Sequence, residues 1–478
     1  MNIKLAGATL DRRFWKDDEA ATPEVTAAAY ARVSHSPRSL KELRDNAVEE
    51  VEKARSSNER IVYRMGHSSI AEHAVFNIDI EDASRLLVEF IERHRLASFT
   101  ERSQRYVFFE GKEPIVPAEI GGTPIEKKLA ALDREKFDLY KKLESDPDLK
   151  EKYGDRLLEQ ARYVLGLTCP TDIGMTVNAR ELEHIISKGL GSGLAEIREF
   201  SEKLLLESGD LAPSLVKYTD PGDFRGRAEE EIRKFIDEVI EPRWERSVPE
   251  EIYVRVKRRP VCHGIPSVCD DPESEIAAAL IFQYSNIPFP ECRDIAMEMS
   301  DEELIELLLP IFRHYPPHAS LHRSFELMDL TFDFEISASG FAQLKRHRMA
   351  TIISQDYMHD RWEIPELMLH TADLTTEYLD LLKRSSELYQ EIEKELGAEV
   401  AAYALTNAHR RRVLLKLNLR ELYHFVRLRS DGHAQDEIRG ISDRIVKEMK
   451  KHYPVVTALL CGKDMYSETH ERILGCDE

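Results

Sequence analysis

Four arginines crowd the segment at residues 93–106, and their planar guanidinium groups suit phosphate because each binds two oxygens at once. Interleaved with Arg93, Arg95, Arg102 and Arg105 are the polar residues His94, Glu101, Ser103, Gln104 and Tyr106. The alternative is a solvated helix face with surface ion pairs. However, the cluster begins where an apolar helical pattern stops, and such joints commonly hold ligands. The segment therefore predicts a pocket for a phosphate-bearing ligand.

A second polar segment, GHSSIAEH at residues 66–73, precedes an apolar run. A zinc site there would join His67 to Glu72 and His73, but that spacing is not a standard ligand spacing. Ser68 or Ser69 followed by Glu72 is more typical of a helix start. We therefore expect a local cap there and no metal.

Three histidines at four-residue spacing offer another possible metal site, at His314, His318 and His322. Pro316 and Pro317 lie between the first two histidines. Proline disfavours a continuous helix, so the histidines are not expected to share one helix face. No metal is expected here either.

Three anchors occur twice in the same order, which indicates an internal duplication. The pairs are Arg-His-Arg at residues 93–95 and 346–348, VNAREL at 177–182 with LNLREL at 417–422, and TAAAYARVS ending at Ser34 with IAAALIFQYS ending at Ser285. An apolar segment leads into both Arg-His-Arg triplets. We predict two homologous copies in one chain.

The copies are predicted to meet near the Pro/Gly-rich stretch SGDLAPSLVKYTDPGDFRG. We assign residues 1–224 to the first copy, 225–250 to a linker or helix, and 251–478 to the second copy. The segments MNIKLAG and EEIYVRV are expected to open the copies as strands. Long helical patterns dominate elsewhere, which predicts a helix-rich α+β fold.

Composition narrows the class of protein. The 478 residues carry a formal net charge of −21, which argues against a broad nucleic-acid-binding surface but permits one small anionic ligand. No apolar run is long enough for a membrane span, and the first residues do not resemble a signal peptide. The six cysteines lack zinc-pair spacing and are expected to be reduced thiols. We expect a soluble, cytoplasmic protein.

These motifs together resemble the flavin-dependent thymidylate synthases. RHRLASFTERSQRY at 93–106 resembles that family's signature, and GHSSIAEH resembles its upstream segment. ARYVLGLTCPTDIGMTVNAREL resembles a third segment, with the same 16-residue gap from Arg162 to Asn178. RLRSDGHAQDEI at 427–438 resembles a fourth, which here belongs to the second copy. The resemblance implies two tandem copies of that family's fold.

The resemblance also implies an activity. Family members methylate dUMP at C5 to make dTMP, with carbon from methylenetetrahydrofolate and hydride from FAD that NADPH has reduced. The flavin carries the difficult chemistry, as cofactors generally do. The family forms homotetramers whose active sites draw on more than one subunit. For this chain that implies a homodimer forming a pseudo-tetramer, with a monomer as the alternative.

Neither copy keeps the whole family pattern. The first copy has the complete Glu-x-Ser-x-Arg loop and Arg162, but Phe90 replaces a glutamine, and glycines stand near the family's late arginine and histidine at Gly189 and Gly193. The second copy keeps the late residues Arg429, His433 and Gln435, and also Gln343. Its losses fall elsewhere: Asp356 replaces the loop arginine, and Ala402 replaces the counterpart of Arg162.

This division predicts one nucleotide site that uses both copies and a mirror-image site that is dead. By the resemblance, Arg105 and Arg162 bind the nucleotide phosphate. Arg429 lies near the uracil edge and stabilises negative charge at N3/O2, which makes C5 nucleophilic. The resemblance assigns Arg429 and Ser103 to catalysis, and substrate binding to Glu101, Arg102, Ser103, Gln104, Arg105, Arg162, Gln343, Arg346 and Arg429.

The resemblance assigns a further set of residues to FAD. They are His67, Ser69, Arg93, His94, Arg95, Asn178, Arg180, His184, Arg346, His347, Arg348, Asn418, Arg420, His424 and His433.

Two alternatives stay open. The first keeps the flavin and the fold but changes the reaction, to methylation or hydroxymethylation of another uridine nucleotide. The second is a non-catalytic flavin- or nucleotide-binding protein, because duplicated and decayed copies often accompany lost activity. The complementary pattern of the losses argues against the second, since neutral decay damages both residue sets at random.

Overall fold

The computed structural model describes most of the chain and divides it into two units. The described residues are 1–10, 22–33, 36–64, 68–108, 112–217, 219, 253–256, 272–314, 316 and 319–475. The first unit comprises Met1–Arg246 together with Ile364–Ala408, and the second comprises Ser247–Glu363 and His409–Glu478. A segment late in the sequence is therefore part of the first unit.

The first unit contains a four-stranded antiparallel sheet with the strand order β1-β2-β4-β3. Its strands are β1 (Asn2–Ala8), β2 (Val75–Ser84), β3 (Ala97–Glu101) and β4 (Pro170–Asn178). Along β4, Ile173, Met175 and Val177 are buried and alternate with more exposed residues. This period of two places one face of the strand on the core.

Helices surround this sheet. They are α1 (Pro23–Val33), α2 (Leu40–Glu49), α3 (Val51–Glu59), α4 (Arg85–Glu92), α5 (Pro124–Ser145), α6 (Pro147–Tyr153), α7 (Leu157–Ala161), α8 (Ala179–Leu190) and α9 (Ala195–Ser208). Two follow strands directly: Ser84 caps α4 and Asn178 caps α8, each accepting a bond from a backbone N–H of the first turn. The predicted site residues Asn178 and Arg180 lie at the second of these joints, and Arg93, His94 and Arg95 follow the end of α4.

The second unit repeats this plan with the strand order β5-β6-β8-β7. Its strands are β5 (Tyr253–Val256), β6 (Asp329–Ser337), β7 (Thr351–Trp362) and β8 (His409–Asn418). Its helices are α10 (Pro272–Tyr284), α11 (Phe289–Glu298), α12 (Asp301–Arg313), α13 (Ala338–Leu344), α15 (Leu419–Arg429), α16 (Asp436–His452) and α17 (Tyr466–Leu474). Ser337 and Asn418 cap α13 and α15, as Ser84 and Asn178 do in the first unit.

The long helix α14 (Ala372–Ala401) belongs to the second copy in sequence but packs in the first unit, against α5. The two helices share the ion pairs Lys128–Glu391 and Lys142–Glu377. Gly397, with φ +82°, interrupts α14 near its end, a conformation that glycine adopts at little cost. The chain then joins the first copy through a β-bridge between Gly166 and Thr406.

The predicted helix-rich α+β fold is confirmed, and both expected opening strands are present as β1 and β5. The boundaries 1–224, 225–250 and 251–478 stay a prediction, and the linker segment lies outside the described residues. Helix α12 ends at Arg313, so His314 follows it and Pro316 lies beyond, while His318 is outside the described residues. No helix in the described part of the chain is long and apolar enough to cross a bilayer.

Candidate functional site

The loop predicted to hold a nucleotide follows β3, which ends at Glu101. The guanidinium of Arg102 bonds to the Asp172 carboxylate on β4 at 2.8 and 3.0 Å, and the Arg102 N–H donates to the Asp172 carbonyl at 2.9 Å. Ser103 closes the turn, since its Oγ accepts the backbone N–H of Arg105 at 3.2 Å. Arg102 and Ser103 thus fix the loop's shape.

Three arginines converge behind this loop. Arg105 pairs through Nε with Glu159, and Arg85 pairs through Nη1 with Glu101. Arg162, in a short 3-10 helix after α7, is only 4% exposed. Burial lowers the pKa of Arg162 to about 10, and the nearby charges of Arg105 and Arg85 act in the same direction. The predicted phosphate ligands Arg105 and Arg162 therefore lie in one electrostatic cluster.

Arg85 was not predicted from the sequence. Burial lowers its pKa, but the carboxylates of Glu101, Glu92 and Glu89 outweigh burial and raise the pKa above its usual value. In the sequence, Arg85 is visible only as one arginine in the largely apolar segment that leads to the first Arg-His-Arg. That signal is common to surface helices, so it did not mark Arg85 as a site residue.

Gln104, the remaining residue of the loop, is buried, and its Oε1 accepts a bond from the Asn407 side chain at 3.0 Å. Glu159 is also buried, three positions before Arg162 in the sequence. Neither Asn407 nor Glu159 was predicted. Only the folded chain shows that Asn407, far along the sequence, reaches the loop.

In the second unit, Arg429 and Gln343, both assigned to the nucleotide site by resemblance, lie in contact. Arg429 donates from Nη1 to Gln343 Oε1 at 3.0 Å and from Nη2 to the Gln343 carbonyl at 2.9 Å. Its Nε donates to His347 Nε2 at 3.0 Å. Three hydrogen bonds thus hold the guanidinium of Arg429 in one plane, and it is only half-buried at the end of α15.

The two Arg-His-Arg triplets have the same local structure. The central histidines, His94 and His347, are buried, while the four flanking arginines are exposed. Burial lowers the pKa of His94 to about 4 and also lowers the pKa of His347 well below its usual value. Each ring packs edge-on against the histidine after the Asn-x-Arg-Glu-Leu motif, His184 at 5.8 Å or His424 at 5.6 Å.

Other residues predicted to contact FAD have structural partners. Asn178 and Asn418 cap α8 and α15 by accepting the backbone N–H of Glu181 and Glu421. Arg180 pairs with Glu72 at 2.5 Å, and Arg420 bonds to Glu326 at 2.9 Å and to the Leu321 carbonyl at 2.6 Å. Ser69 and His433 are exposed, the latter with its side chain 94% accessible, and His67 lies outside the described residues. Their role in flavin binding stays a prediction.

His347, Glu421 and His424 place their ligand atoms within 4.8 Å of one another, the one such group found among the described residues. The hydrogen bond from Arg429 requires His347 Nε2 to be the acceptor, so Nδ1 carries the proton of the neutral ring. Glu421 faces that nitrogen at 3.4 Å. A protonated Nδ1 and a nearby guanidinium both oppose a cation, so the cluster is better explained as a hydrogen-bonded support for Arg429.

In the described residues of the second copy, the segment that corresponds to the nucleotide loop is part of a strand. Strand β7 continues for twelve residues, whereas β3 stops after five. Asp356, at the position of the lost arginine, lies in an irregularity of the β7–β8 pairing. The buried Arg411 guanidinium lies 3.7 Å from the ring centre of Tyr357 and 5.0 Å from that of Phe341. This cation–π stack fixes the strand where the first copy turns away from the sheet.

Comparisons with known proteins agree with two copies. The family model described as thymidylate synthase complementing protein matches residues 18–214 and 266–455. A UPF0159 protein of Chlamydia pneumoniae is 26% identical over 438 residues, which cover 85% of this chain and 80% of that protein. A flavin-dependent thymidylate synthase of Clostridium tetani is 31% identical over 219 residues, or 44% of this chain and 86% of that enzyme.

A solved structure of flavin-dependent thymidylate synthase from Helicobacter pylori, complexed with FAD and dUMP, also matches. The two chains are 17% identical, and the match covers 46% of this chain and 100% of the Helicobacter pylori chain, with a TM-score of 0.33.

Proposed function

The chain belongs to the thymidylate synthase complementing protein family, and from that premise we propose that it is a flavin-dependent thymidylate synthase. In this proposal it methylates dUMP at C5, with methylenetetrahydrofolate as the carbon donor and NADPH as the reductant of bound FAD. The observation that supports the proposal most directly is the buried arginine cluster behind the loop at Glu101–Arg105.

The charges of this cluster suit a nucleotide phosphate. Arg85 and Arg105 are held by the carboxylates of Glu101 and Glu159, and Glu89 and Glu92 also lie near Arg85. Arg162 is buried and its pKa is lowered, so its charge interacts strongly with a dianion, because water screens the attraction weakly there. A bound phosphate also stabilises the charged form of Arg162, whose pKa is lowered in its absence.

Arg429 is proposed to act on the pyrimidine ring. Gln343 and His347 hold its guanidinium by three hydrogen bonds, so its orientation is set before a substrate arrives. A cation held in this way stabilises negative charge that develops on the uracil N3 and O2 as C5 attacks carbon. His347 stays neutral at ordinary pH. It therefore accepts a hydrogen bond from Arg429 and does not repel the guanidinium charge.

The residues around the Arg-His-Arg triplets fit FAD. Arg93, Arg95, Arg346 and Arg348 are exposed and suit the pyrophosphate oxygens. His94 Nε2 is buried without a hydrogen-bond partner among the described residues, which leaves a polar atom for a ligand group. Bound FAD would supply the hydride that completes the methyl group, and the chain's own residues would bind and orient it.

The single nucleotide site is proposed to need both copies. Arg105 and Arg162 come from the first copy, whereas Arg429 and Gln343 come from the second. Because each copy lacks what the other keeps, neither set alone completes the family's pattern. The partners can come from one chain or from two chains of a homodimer, and the proposal holds in either case.

A turnover assay tests the proposal. Purified protein is incubated with dUMP, methylenetetrahydrofolate, NADPH and FAD, and dTMP is measured by chromatography. We expect dTMP from the wild type and its loss in both Arg162→Ala and Arg429→Ala. The exposed arginines Arg134 and Arg444 provide matched controls, whose alanine variants should keep full turnover.

The other outcomes separate the alternatives. Product from UMP but not from dUMP would replace the substrate and keep the chemistry. A protein that binds flavin but cannot be reduced by NADPH would indicate a binding protein. Normal turnover in either Arg162→Ala or Arg429→Ala would overturn the site that uses both copies.

A further inference from the structure

A short segment of the second copy lies inside the first unit, next to the predicted nucleotide loop. The Leu167 N–H donates to the Leu405 carbonyl at 3.0 Å, and the Asn407 N–H donates to the Leu165 carbonyl at 2.9 Å. Leu165 and Leu405 follow Arg162 and Ala402 at the same distance in sequence, as do Leu167 and Asn407. The two copies thus meet at a reciprocal backbone contact.

We propose that Asn407, a residue of the second copy, is a positioning residue of the nucleotide site in the first unit. This inference rests on the proposed function and names the residue that holds two parts of the phosphate site in register. Asn407 is not assigned to contact the reacting atoms.

The Asn407 amide bonds to both parts of the site. Its Nδ2 donates to Gln104 Oε1 at 3.0 Å, and Gln104 lies between Ser103 and Arg105 in the nucleotide loop. The same Nδ2 donates to the Arg162 carbonyl at 2.9 Å. One amide group therefore ties the loop that carries Arg105 to the backbone that carries Arg162.

All of these contacts are shielded from water. Asn407 is 1% exposed, and Gln104 and Arg162 are nearly as buried. Hydrogen bonds in such an environment restrict geometry more than exposed ones, because no water molecule replaces a broken partner.

The two copies have different residues at the position of Asn407, and packing does not require this difference. The position equivalent to Asn407 in the first copy is Leu167, which is fully buried at the same reciprocal contact. A leucine thus satisfies the packing of this contact. Burying an amide is unfavourable unless its polar atoms are bonded. Both bonds of the Asn407 Nδ2 go to the nucleotide site, whereas its Oδ1 is buried without a hydrogen-bond partner among the described residues.

The segment that carries Asn407 is itself fixed. Lys136 donates to the Ala404 carbonyl at 3.0 Å and to Asp133 at 2.9 Å, with its side chain almost fully buried. The hydroxyl of Tyr403 donates to Glu196 at 2.6 Å. The bond from Lys136 to the Ala404 carbonyl supplies the rigid support that a positioning residue needs.

The test is a set of variants of the full-length, flavin-loaded protein. Asn407→Leu introduces the residue that the first copy has at this position, and Asn407→Asp keeps the shape but replaces the donating amide with a carboxylate, which is an acceptor and can carry a negative charge. Binding of dUMP is measured by calorimetry, turnover by kcat and KM, and folding by thermal unfolding. Tyr403→Phe is the control, since it removes a buried hydroxyl from the same segment without touching the loop.

We expect Asn407→Leu and Asn407→Asp each to weaken dUMP binding roughly tenfold, which is the typical effect of losing such bonds. KM should rise with little change in kcat, because the reacting atoms are not contacted. Gln104→Leu should show a similar loss, and the double variant Gln104→Leu/Asn407→Leu should lose less than the two single effects combined. Tyr403→Phe should bind dUMP as the wild type does, whatever its stability.

Two results would overturn the inference separately from the proposed function. If the wild type binds dUMP and both Asn407 variants bind it equally well, Asn407 has no positioning role. If Tyr403→Phe weakens dUMP binding as much as Asn407→Asp does, the effect reflects the segment's packing and the inference fails. A wild type that does not bind dUMP would overturn the proposed function, and the inference with it.

Discussion

Glu159 holds the guanidinium of Arg105 through Nε, so a buried carboxylate occupies one of its donors and offsets part of its charge. The two side chains are 5% and 19% exposed, which makes their attraction stronger than that of a surface pair. A phosphate that binds Arg105 therefore competes with Glu159 for its positive charge.

This competition predicts a gain of affinity from Glu159→Gln. The variant keeps the shape of the side chain but removes the negative charge, so dUMP should bind several-fold more tightly, on the order of the effect of one partly buried charge. The unfolding temperature should fall, because Arg105 loses its partner in the free protein. Calorimetric titration and thermal unfolding measure the two effects, and the exposed Glu151→Gln serves as the control. Weaker binding in Glu159→Gln would show that Glu159 supports the site and does not compete for it.

Local sequence patterns predicted one part of this protein well. The repeated anchors predicted two copies, and Asn178 and Asn418 do occupy equivalent helix-capping positions in the two units. These relationships are short-range or repeat in both copies, so the residues themselves carry the signal.

The contacts of Arg85, Glu159 and Asn407 could not be predicted in the same way. Arg85 and Glu159 are ordinary helix residues until folding brings Glu101 and Arg105 against them. Asn407 reaches Gln104 only because residues 364–408 fold into the first unit, which no local periodicity shows. The continuation of β7 past Asp356 was also unexpected, since a shortened loop and a longer strand give similar sequences.

The pair Arg85–Glu101 is predicted to be essential for folding of the first unit. Both side chains are only 6% exposed, so Arg85→Met leaves a buried carboxylate without its partner. Breaking such a pair typically lowers the free energy of unfolding by about 3–5 kcal/mol. Urea unfolding should show this loss, with partial recovery in Arg85→Lys, which restores the charge. An unchanged midpoint in Arg85→Met would mean that Glu101 finds another partner.

The buried histidine His94 is predicted to make the protein acid-sensitive. Its pKa is lowered to about 4, mainly by burial, from a usual value near 6.5. Between these values the unfolded state binds the proton more readily than the folded state. The stability that depends on neutral His94 is therefore complete above about pH 6.5 and is lost as the pH falls towards 4.

Urea unfolding at a series of pH values would test this dependence. We expect the wild type to lose stability between pH 6.5 and 4 more steeply than His94→Gln, which has no proton to gain. Because His347 behaves in the same direction, the variant should flatten the profile without abolishing the slope. Parallel profiles for wild type and His94→Gln would contradict the burial argument.

Arg162 is predicted to set an alkaline limit for nucleotide binding. Its pKa is lowered to about 10 by burial and by the charges of Arg105 and Arg85, so it loses its proton at a pH where other arginines keep theirs. Affinity for dUMP that depends on charged Arg162 should be constant near neutrality and fall as the pH rises through about 10. Folding stability moves the other way, because above that pH the unfolded state binds more protons and the cost of burying the charge is relieved.

The difference between wild type and Arg162→Ala isolates this group from lysines and tyrosines that titrate in the same range. The dUMP dissociation constant of Arg162→Ala divided by that of the wild type should be large at neutral pH and approach one above pH 10. Calorimetry at each pH measures both constants. Bound phosphate raises the pKa of Arg162, so saturating dUMP should displace the limit to higher pH. A ratio that stays constant across this range would mean that Arg162 does not bind the phosphate through its charge.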